Sequence, residues 1–188
     1  YQLASLPFIE PELREGINEL ALAKANKLPK LIAVNDLRGS LHNHSTWSDG
    51  VHTLEEMATY CRDELKLTYL GICDHSKSAF YANGLNEARV AAQHREIDQL
   101  NQKMAPFHIF KGIESDILFD GSLDYSDDVL KTFDFVVASV HSVLKMDESK
   151  ATSRLIKAIE NPFTTILGHP TGRLLLTRDA YPLDHKKV

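Results

Sequence analysis

The stretch LTYLGICDH, residues 67–75, is a short apolar run that ends in an aspartate and a histidine. Four other runs of this kind also end in a histidine or a glutamate: GSLHNH (39–44), FHIFKGIE (107–114), FDFVVASVH (133–141) and TTILGH (164–169). Near-continuous apolar runs of this length are typical of strands that are buried on both faces. The sequence therefore predicts five buried strands, each with polar side chains at its end.

Helical patterns lie between these strands. Thr53-Leu54-Glu55-Glu56 has the form of a capping box and predicts a helix through Leu65. Further helices are predicted over 86–104, 126–133 and 149–160. The alternation of strand and helix indicates the α/β class, with βα units around a parallel sheet or barrel. Residues 1–37 differ, since they are irregular apart from one helix predicted over 12–27 before Pro29.

Composition limits the class of protein. The chain has 188 residues, of which 43% are hydrophobic and 25% charged, as expected for one soluble globular domain. No apolar run approaches the ~20 residues of a membrane span. Two cysteines make no disulfide framework, so a reduced cytoplasmic setting is expected. Because the formal net charge is −5, a phosphate-bearing substrate would need local cations or metals.

The stretch LHNHSTWSDG, residues 41–50, carries two histidines one residue apart. Because strand side chains alternate between faces, His42 and His44 are predicted to point the same way. Asp49 follows in the loop after them. Two imidazoles on one face at a strand end predict the beginning of a metal site.

The other strand ends extend this site. In a βα barrel the carboxyl ends of the strands converge on one face, where chemistry takes place. The predicted metal ligands are His42, His44, Asp49, His75, Glu114, His141 and His169. Seven such groups exceed the three or four protein ligands of one catalytic zinc, so a multinuclear site is predicted, with zinc, manganese or iron.

Asp74 has two interpretations, as a ligand or as a carboxylate that orients its neighbour His75 from behind the ligands. The remaining histidines are not placed by the pattern near other metal-ligand residues. Surface or packing roles are therefore predicted for His52, His94, His108 and His185.

Together, the ordered motifs HNHSTWSDG, GICDHS, GIE, SVH and GHP resemble those of the polymerase and histidinol phosphatase (PHP) domain. The resemblance covers about residues 38–170. In HSKSAFYANGL (75–85), GHPTGR (168–173) and the opening PFIEPELREG (7–16), the chain looks most like bacterial family X DNA polymerases, which carry a PHP domain at their C-terminus. Residues 1–37 would then be the tail of a polymerase portion and a linker, and 38–188 a PHP domain that is incomplete at its C-terminus.

The resemblance implies a distorted TIM-like barrel of seven βα units with up to three divalent metals. Carried over motif by motif, His42, His44 and Glu114 would hold one metal, and Asp49, His75 and His169 a second. Glu114, as a bridge, and His141 would hold the third. The family's final Asp-x-His motif does not follow His169, so the chain is expected to stop about two strands early, after five units. One ligand each of the first and third metals would be missing, and the open edge would invite dimerisation.

The implied function is a metal-dependent phosphoesterase or nuclease that acts on DNA ends in repair. It would be a 3′–5′ exonuclease, a 3′-phosphatase or an abasic-site cleaving enzyme, with manganese usual in this branch and zinc in relatives. Metal-bound water would attack, so no catalytic side chain is predicted beyond the ligands. Arg173 and Lys77 are candidate phosphate clamps, with solvated loop cations as the alternative.

Two other functions stay open from the sequence. A small-molecule phosphatase of the histidinol-phosphate type would share the metal set. A non-catalytic module, which binds metal or docks the polymerase portion of the same parent chain onto DNA, would follow from the missing last motif.

Overall fold

The chain folds into two compact units that meet in sequence at Leu37 and Arg38; the computed structural model describes residues 5–188, so residues 1–4 of the predicted leading segment lie outside it. The first unit contains helix α1 (Glu19–Lys24) and two 3-10 turns, at Pro11–Leu13 and Val34–Asp36. The helix predicted over 12–27 is therefore wrong in extent. Gly16 adopts a left-handed φ of 71°, and the Glu19 carboxylate accepts from its N–H, so the chain turns before the helix begins.

The second unit is a parallel sheet with helices between its strands. The strands are β1 (Gly39–Asn43), β2 (Tyr69–Ile72), β3 (His108–Asp116), β4 (Phe135–Ser139) and β5 (Ile166–Leu167). Their spatial order is that of the sequence and every neighbouring pair is parallel. The connecting helices are α2 (Leu54–Asp63), α3 (Glu87–Met104), α4 (Asp127–Leu130) and α5 (Glu148–Ile159). The sheet curls as a TIM-like half-barrel of five strands, with one helix between each strand and the next, which confirms the predicted fold class.

Side-chain caps fix where three of the four helices of this unit begin, since Ser126 before α4 makes no capping hydrogen bond. The predicted capping box of α2 is present, since the Thr53 hydroxyl accepts from the N–H of Glu56 and the Glu56 carboxylate accepts from the N–H of Thr53. Asn86 caps α3 and Asp147 caps α5 in the same way, each accepting from a backbone N–H three residues on. Among the described residues, no helix combines the length and the apolar character needed to cross a membrane.

Both faces of the central strands β2, β3 and β4 are largely buried, as the apolar runs predict, whereas the outer strands β1 and β5 contain no fully buried residue. On one face, outward side chains such as Ile109, Ile113 and Val136 pack against the helices in two large clusters. On the other face, Phe135 and Val137 pack with Cys73 in a smaller inner cluster. Glu114 and Asp116, near the carboxyl end of β3, point to this same inner face of the sheet.

The inner cluster depends on glycine at two neighbouring strand positions. A Cβ atom on Gly112 would lie 2.2 Å from Cζ of Phe135 and 2.5 Å from the Ile72 carbonyl oxygen. A Cβ atom on Gly71 would lie 2.9 Å from the same ring atom. The Phe135 ring therefore fills space that any side chain on these two strands would occupy.

We expect Gly112→Ala to lower the free energy of unfolding by about 1–3 kcal/mol, because the added methyl overpacks this face. Urea denaturation measures the loss. Two of the closest contacts come from the Phe135 ring, so the double variant Gly112→Ala/Phe135→Leu should recover part of it. Unchanged stability in Gly112→Ala would contradict this account of the inner cluster.

Candidate metal centre

Five imidazole nitrogens converge on one buried carboxylate, that of Glu114 on β3, whose exposed fraction is 1%. Around Oε1 lie Nε2 of His169 at 2.9 Å, Nε2 of His42 at 3.0 Å and Nε2 of His141 at 3.2 Å. Around Oε2 lie Nδ1 of His75 at 3.2 Å and Nε2 of His44 at 3.4 Å. The structure therefore brings together histidines from the ends of β1, β2, β4 and β5 around the carboxylate from β3.

His42 and His44 reach Glu114 by a different route from the one predicted. The pairing of β1 with β2 shifts register between Ser40 and Asn43, and His42 adopts a left-handed φ of 62°. A strand bulge of this kind re-aims side chains, and a non-glycine residue with positive φ is strained. The two rings still meet, with centroids 5.5 Å apart, but through this bulge and not through regular alternation.

Asp49 joins the cluster from the loop that follows β1. Its Oδ1 lies 3.5 Å from Nδ1 of His44 and its Oδ2 lies 3.6 Å from Nε2 of His75. The Asp49 side chain is about half exposed, so it forms the solvent side of the cluster.

Asp74 holds the loop that carries Asp49. Its buried carboxylate accepts hydrogen bonds from the backbone N–H and hydroxyl of Ser45 and of Ser48, at 2.5–3.2 Å. A fifth hydrogen bond comes from Nε2 of Gln93 on α3, at 2.6 Å. Among the described residues, the hydrogen bonds of Asp74 thus go to this loop and to Gln93 and not to the ring of His75. Its observed part is to fix the backbone between His44 and Asp49.

Asp116 is a residue of the site that the sequence reasoning missed. Its buried side chain lies 2.6 Å from Nδ1 of His141, while Nε2 of the same ring faces Glu114. A carboxylate on one ring nitrogen fixes the tautomer and presents the other nitrogen to the cluster. The sequence does carry a signal, because Asp116 follows Glu114 by two residues in one strand and so shares its face.

Arg154 is a second missed residue, and it is 1% exposed in the middle of α5. Its guanidinium donates to the carbonyl oxygens of Ile117 and Leu118, after β3, and to those of Ser142 and Val143, after β4. It thereby ties together the two backbone segments that follow Asp116 and His141. Its position in the sequence could have indicated that it is buried. Arg154 lies three residues after Ala151 and four before Ala158, which is the spacing of one helix face, and that face is buried.

Charge compensation inside the cluster shifts two pKa values in opposite directions. Burial alone raises the pKa of Glu114, but hydrogen bonds from His141, His169 and His42 outweigh it and hold that pKa far below its ordinary value. Burial lowers the pKa of His141, yet its hydrogen bonds to Asp116 and Glu114 outweigh this and raise it to about 9. For His75, burial dominates and lowers the pKa, which favours the neutral imidazole that metals bind.

The donor set fits divalent metals. Three groups have one ligand atom per residue within 4.8 Å of one another: His42, His44 and Glu114; His44, Asp49 and His75; His75, Glu114 and His141. Nδ1 of His44 and Nδ1 of His75 are buried and lie near the carboxylates of Asp49 and Glu114, but within the described part of the chain neither nitrogen makes a hydrogen bond. Buried ring nitrogens left this way are costly unless something else binds their lone pairs. Mixed imidazole and carboxylate ligands suit zinc, manganese or iron.

His169 lies outside those three groups, although its Nε2 contacts Glu114. Its ring centroid lies 5.2 Å from that of His141 and 6.0 Å from that of His42. The assignment of single ligands to single metals, including His169 beside Asp49 and His75, stays a prediction.

The two candidate phosphate clamps lie in different surroundings. The ammonium group of Lys77 lies 2.6 Å from Oε1 of Glu87 and 5.4 Å from the centroid of the Tyr125 ring. Arg173 is exposed, four residues after His169. Their role as clamps stays a prediction.

Comparison with known proteins identifies two kinds of relative, a DNA polymerase/3′-5′ exonuclease and several probable phosphatases. The chain is 43% identical over 184 residues to the DNA polymerase/3′-5′ exonuclease PolX of Bacillus subtilis, a match that covers 98% of this chain and 32% of that protein. This confirms the resemblance to the family X DNA polymerases. The chain spans about a third of the length of this relative. No family model matches the chain.

Other relatives are named probable phosphatases, consistent with a PHP domain. One from Thermoanaerobacter sp. (strain X514) is 37% identical over 93 residues, which cover 47% of this chain and 36% of that protein. One from Caldicellulosiruptor saccharolyticus is 32% identical over 158 residues, which cover 78% of this chain and 58% of that protein. Relatives of both kinds support a phosphoesterase of the PHP type.

We expect Asp116→Ala to weaken metal binding about 10- to 100-fold, because the ring of His141 would lose the group that orients it. Titration calorimetry with Mn²⁺ measures the affinity, and Asp116→Asn, which keeps an acceptor oxygen, should lose less. Asp179→Ala removes an exposed carboxylate and serves as the control. Unchanged Mn²⁺ affinity in Asp116→Ala would show that His141 needs no such support.

We expect Asp74→Asn to destabilise the loop after β1, because an amide cannot accept from all five donors that now point at the carboxylate. The free energy of unfolding should fall by about 1–3 kcal/mol, and Mn²⁺ affinity should fall with it. Urea denaturation and calorimetry on one preparation measure the two effects. Asp179→Asn, which alters an exposed aspartate, should change neither, and normal metal affinity in Asp74→Asn would contradict the assigned role.

Proposed function

We propose that the chain is a metal-dependent phosphoesterase that acts on DNA ends. The observation that carries the proposal is the convergence of five imidazoles and the Asp49 carboxylate around buried Glu114. In this proposal the site holds two or three divalent cations, which are manganese or zinc. Their ligands are His42, His44, Asp49, His75, Glu114, His141 and His169. Divalent cations in such a site polarise phosphoryl oxygens and lower the pKa of bound water.

The chain's own residues act by holding and orienting. Glu114 supplies the shared anionic centre, Asp116 fixes the ring of His141, and Asp74 and Arg154 hold the segments that carry the ligands. A nucleophilic cysteine is disfavoured, because burial first and the charge of Glu114 second raise the pKa of Cys73 well above its ordinary value. Hydrolysis by water is the chemistry that these groups support best.

DNA as substrate is proposed from the relative that covers nearly the whole chain, whose name couples a DNA polymerase with a 3′-5′ exonuclease. The proposed reactions are removal of 3′ nucleotides, removal of 3′-phosphates and cleavage at abasic sites, as steps of DNA repair. In the same proposal, residues 38–188 are the PHP domain, residues 1–37 lead into it from a polymerase portion, and that portion of the parent chain is the partner. Two buried free thiols fit a reduced cytoplasmic setting.

A small-molecule phosphatase is the second candidate, since several relatives carry the name probable phosphatase. The metal ligands serve both reactions equally. Release of inorganic phosphate from small phosphomonoesters, with no cleavage of oligonucleotides, would favour this candidate over the nuclease.

We expect His42→Asn to abolish Mn²⁺-dependent hydrolysis of an oligonucleotide, because the ring that meets Glu114 is lost. Asparagine tolerates the left-handed backbone at this position better than alanine does, so the fold should survive. Release of labelled nucleotides measures the rate. The control His52→Ala removes an exposed histidine from the loop after β1 and should leave the rate unchanged.

Glu114→Gln tests the metal ligands by a measurement that does not depend on activity. Elemental analysis of the purified variant should show loss of bound metal, because the shared anionic ligand is neutralised. Full activity in His42→Asn would overturn the catalytic proposal, and full metal content in Glu114→Gln would overturn the ligand assignment.

A further inference from the structure

The loop over residues 75–85 buries its small side chains and exposes its aromatic ones. Phe80 is 89% exposed and Tyr81 is 72% exposed, while Ala79, Ala82 and Leu85 beside them are buried. Large aromatic side chains ordinarily gain more from burial than alanine does. Two adjacent exposed aromatic residues therefore suggest that this loop has a binding role.

The loop is rigidly held in this arrangement. Phe80–Ala82 form a 3-10 turn, which Asn83 ends with a left-handed φ of 55°. The N–H of Ser78 donates to Asp124 at 2.7 Å, and the N–H of Leu85 donates to the carbonyl of His75 at 2.8 Å. A loop fixed at both ends presents its aromatic rings with little ordering cost on binding.

Tyr81 borders the metal centre, and Phe80 precedes it in the same 3-10 turn. The ring centroid of Tyr81 lies 6.0 Å from that of His75 and 6.4 Å from that of His141. The nearby cations are already engaged, since Lys77 pairs with Glu87 and Arg89 donates to the carbonyl oxygens of Asn83 and Gly84. The edge of the metal centre beside this loop therefore presents flat aromatic rings, while the ammonium group of Lys77 and the guanidinium of Arg89 are already bound to other groups of the protein.

We propose that Phe80 and Tyr81 form a stacking platform for the unpaired terminal nucleobase of the DNA end whose phosphodiester lies at the metal centre. The inference rests on the proposed function and specifies its substrate as an end with an intact, unpaired base. Aromatic rings stack on any base, because every base has a π-face, so the platform tolerates all sequences. A phosphodiester and its base are covalently linked, which is why the platform must lie beside the metal ligands.

The test compares two single-stranded oligonucleotides that differ only at the 3′ end. One ends in 2-aminopurine and the other in an abasic nucleotide, and both carry a terminal phosphorothioate linkage that slows cleavage. The unaltered chain with Mg²⁺ should bind the first about 10- to 100-fold more tightly and quench its fluorescence. The double variant Phe80→Ala/Tyr81→Ala should bind both ends with the weaker affinity, while Tyr81→Phe should keep most of the preference.

Matched controls remove exposed aromatic rings elsewhere. Tyr60→Ala alters α2, and Phe119→Ala removes a ring that lies 4.1 Å from the ammonium group of Lys150. Both should keep the preference for the 2-aminopurine end. Urea denaturation should show that the double variant is folded, since neither side chain is buried.

The outcomes separate this inference from the proposed function. Equal affinity of the unaltered chain for the two ends, or an unchanged preference in the double variant, overturns the platform even where His42→Asn abolishes hydrolysis. A change of oligomeric state in the double variant with no change in DNA binding also overturns it, in favour of contact with a second copy. Fluorescence quenching that needs Phe80 and Tyr81, in a chain that hydrolyses no DNA, supports the platform while the proposed function fails.

Discussion

The burial of one carboxylate, that of Glu114, constrains the rest of this site. A buried negative charge is strongly unfavourable unless hydrogen bonds or opposite charges compensate it. Here the compensation comes from five imidazoles on four other strands, so the charge is stabilised only when those strands are in register with β3. Metals bound among the same groups would take over this compensation and leave the rings neutral.

Much of the fold follows from local sequence patterns. The apolar runs predict the five strands because a parallel sheet is buried on both faces, and the capping box predicts the start of α2 because its hydrogen bonds are local. The helix predicted over 12–27 is wrong in extent, because Gly16 and Asn26 adopt left-handed conformations and the helix forms only between them, over Glu19–Lys24. The ligand types at the strand ends are also visible in sequence, since parallel strands place their carboxyl ends at one edge.

The support around the ligands is harder to predict, because it depends on contacts between elements that are distant in sequence. The bulge at His42 is a property of the pairing between β1 and β2 and leaves no local signature. In sequence, Asp74 can be interpreted as a ligand or as the carboxylate that orients His75, yet its carboxylate turns toward the loop 29 residues earlier. Arg154 resembles a solvated helix cation until its place on the buried face of α5 is considered.

These supports share one arrangement, in which a residue of one βα unit holds a ligand segment of a neighbouring unit. Asp74 at the end of β2 fixes the loop after β1, Asp116 on β3 orients a ring after β4, and Arg154 on α5 binds carbonyls after both β3 and β4. The loop after β1, the ring of His141 and the backbone after β3 are therefore each held by a residue of a neighbouring unit. Because residues of one unit hold ligand segments of the next, the ligand geometry depends on how the units pack against one another. Metal affinity therefore reports on the packing between adjacent units.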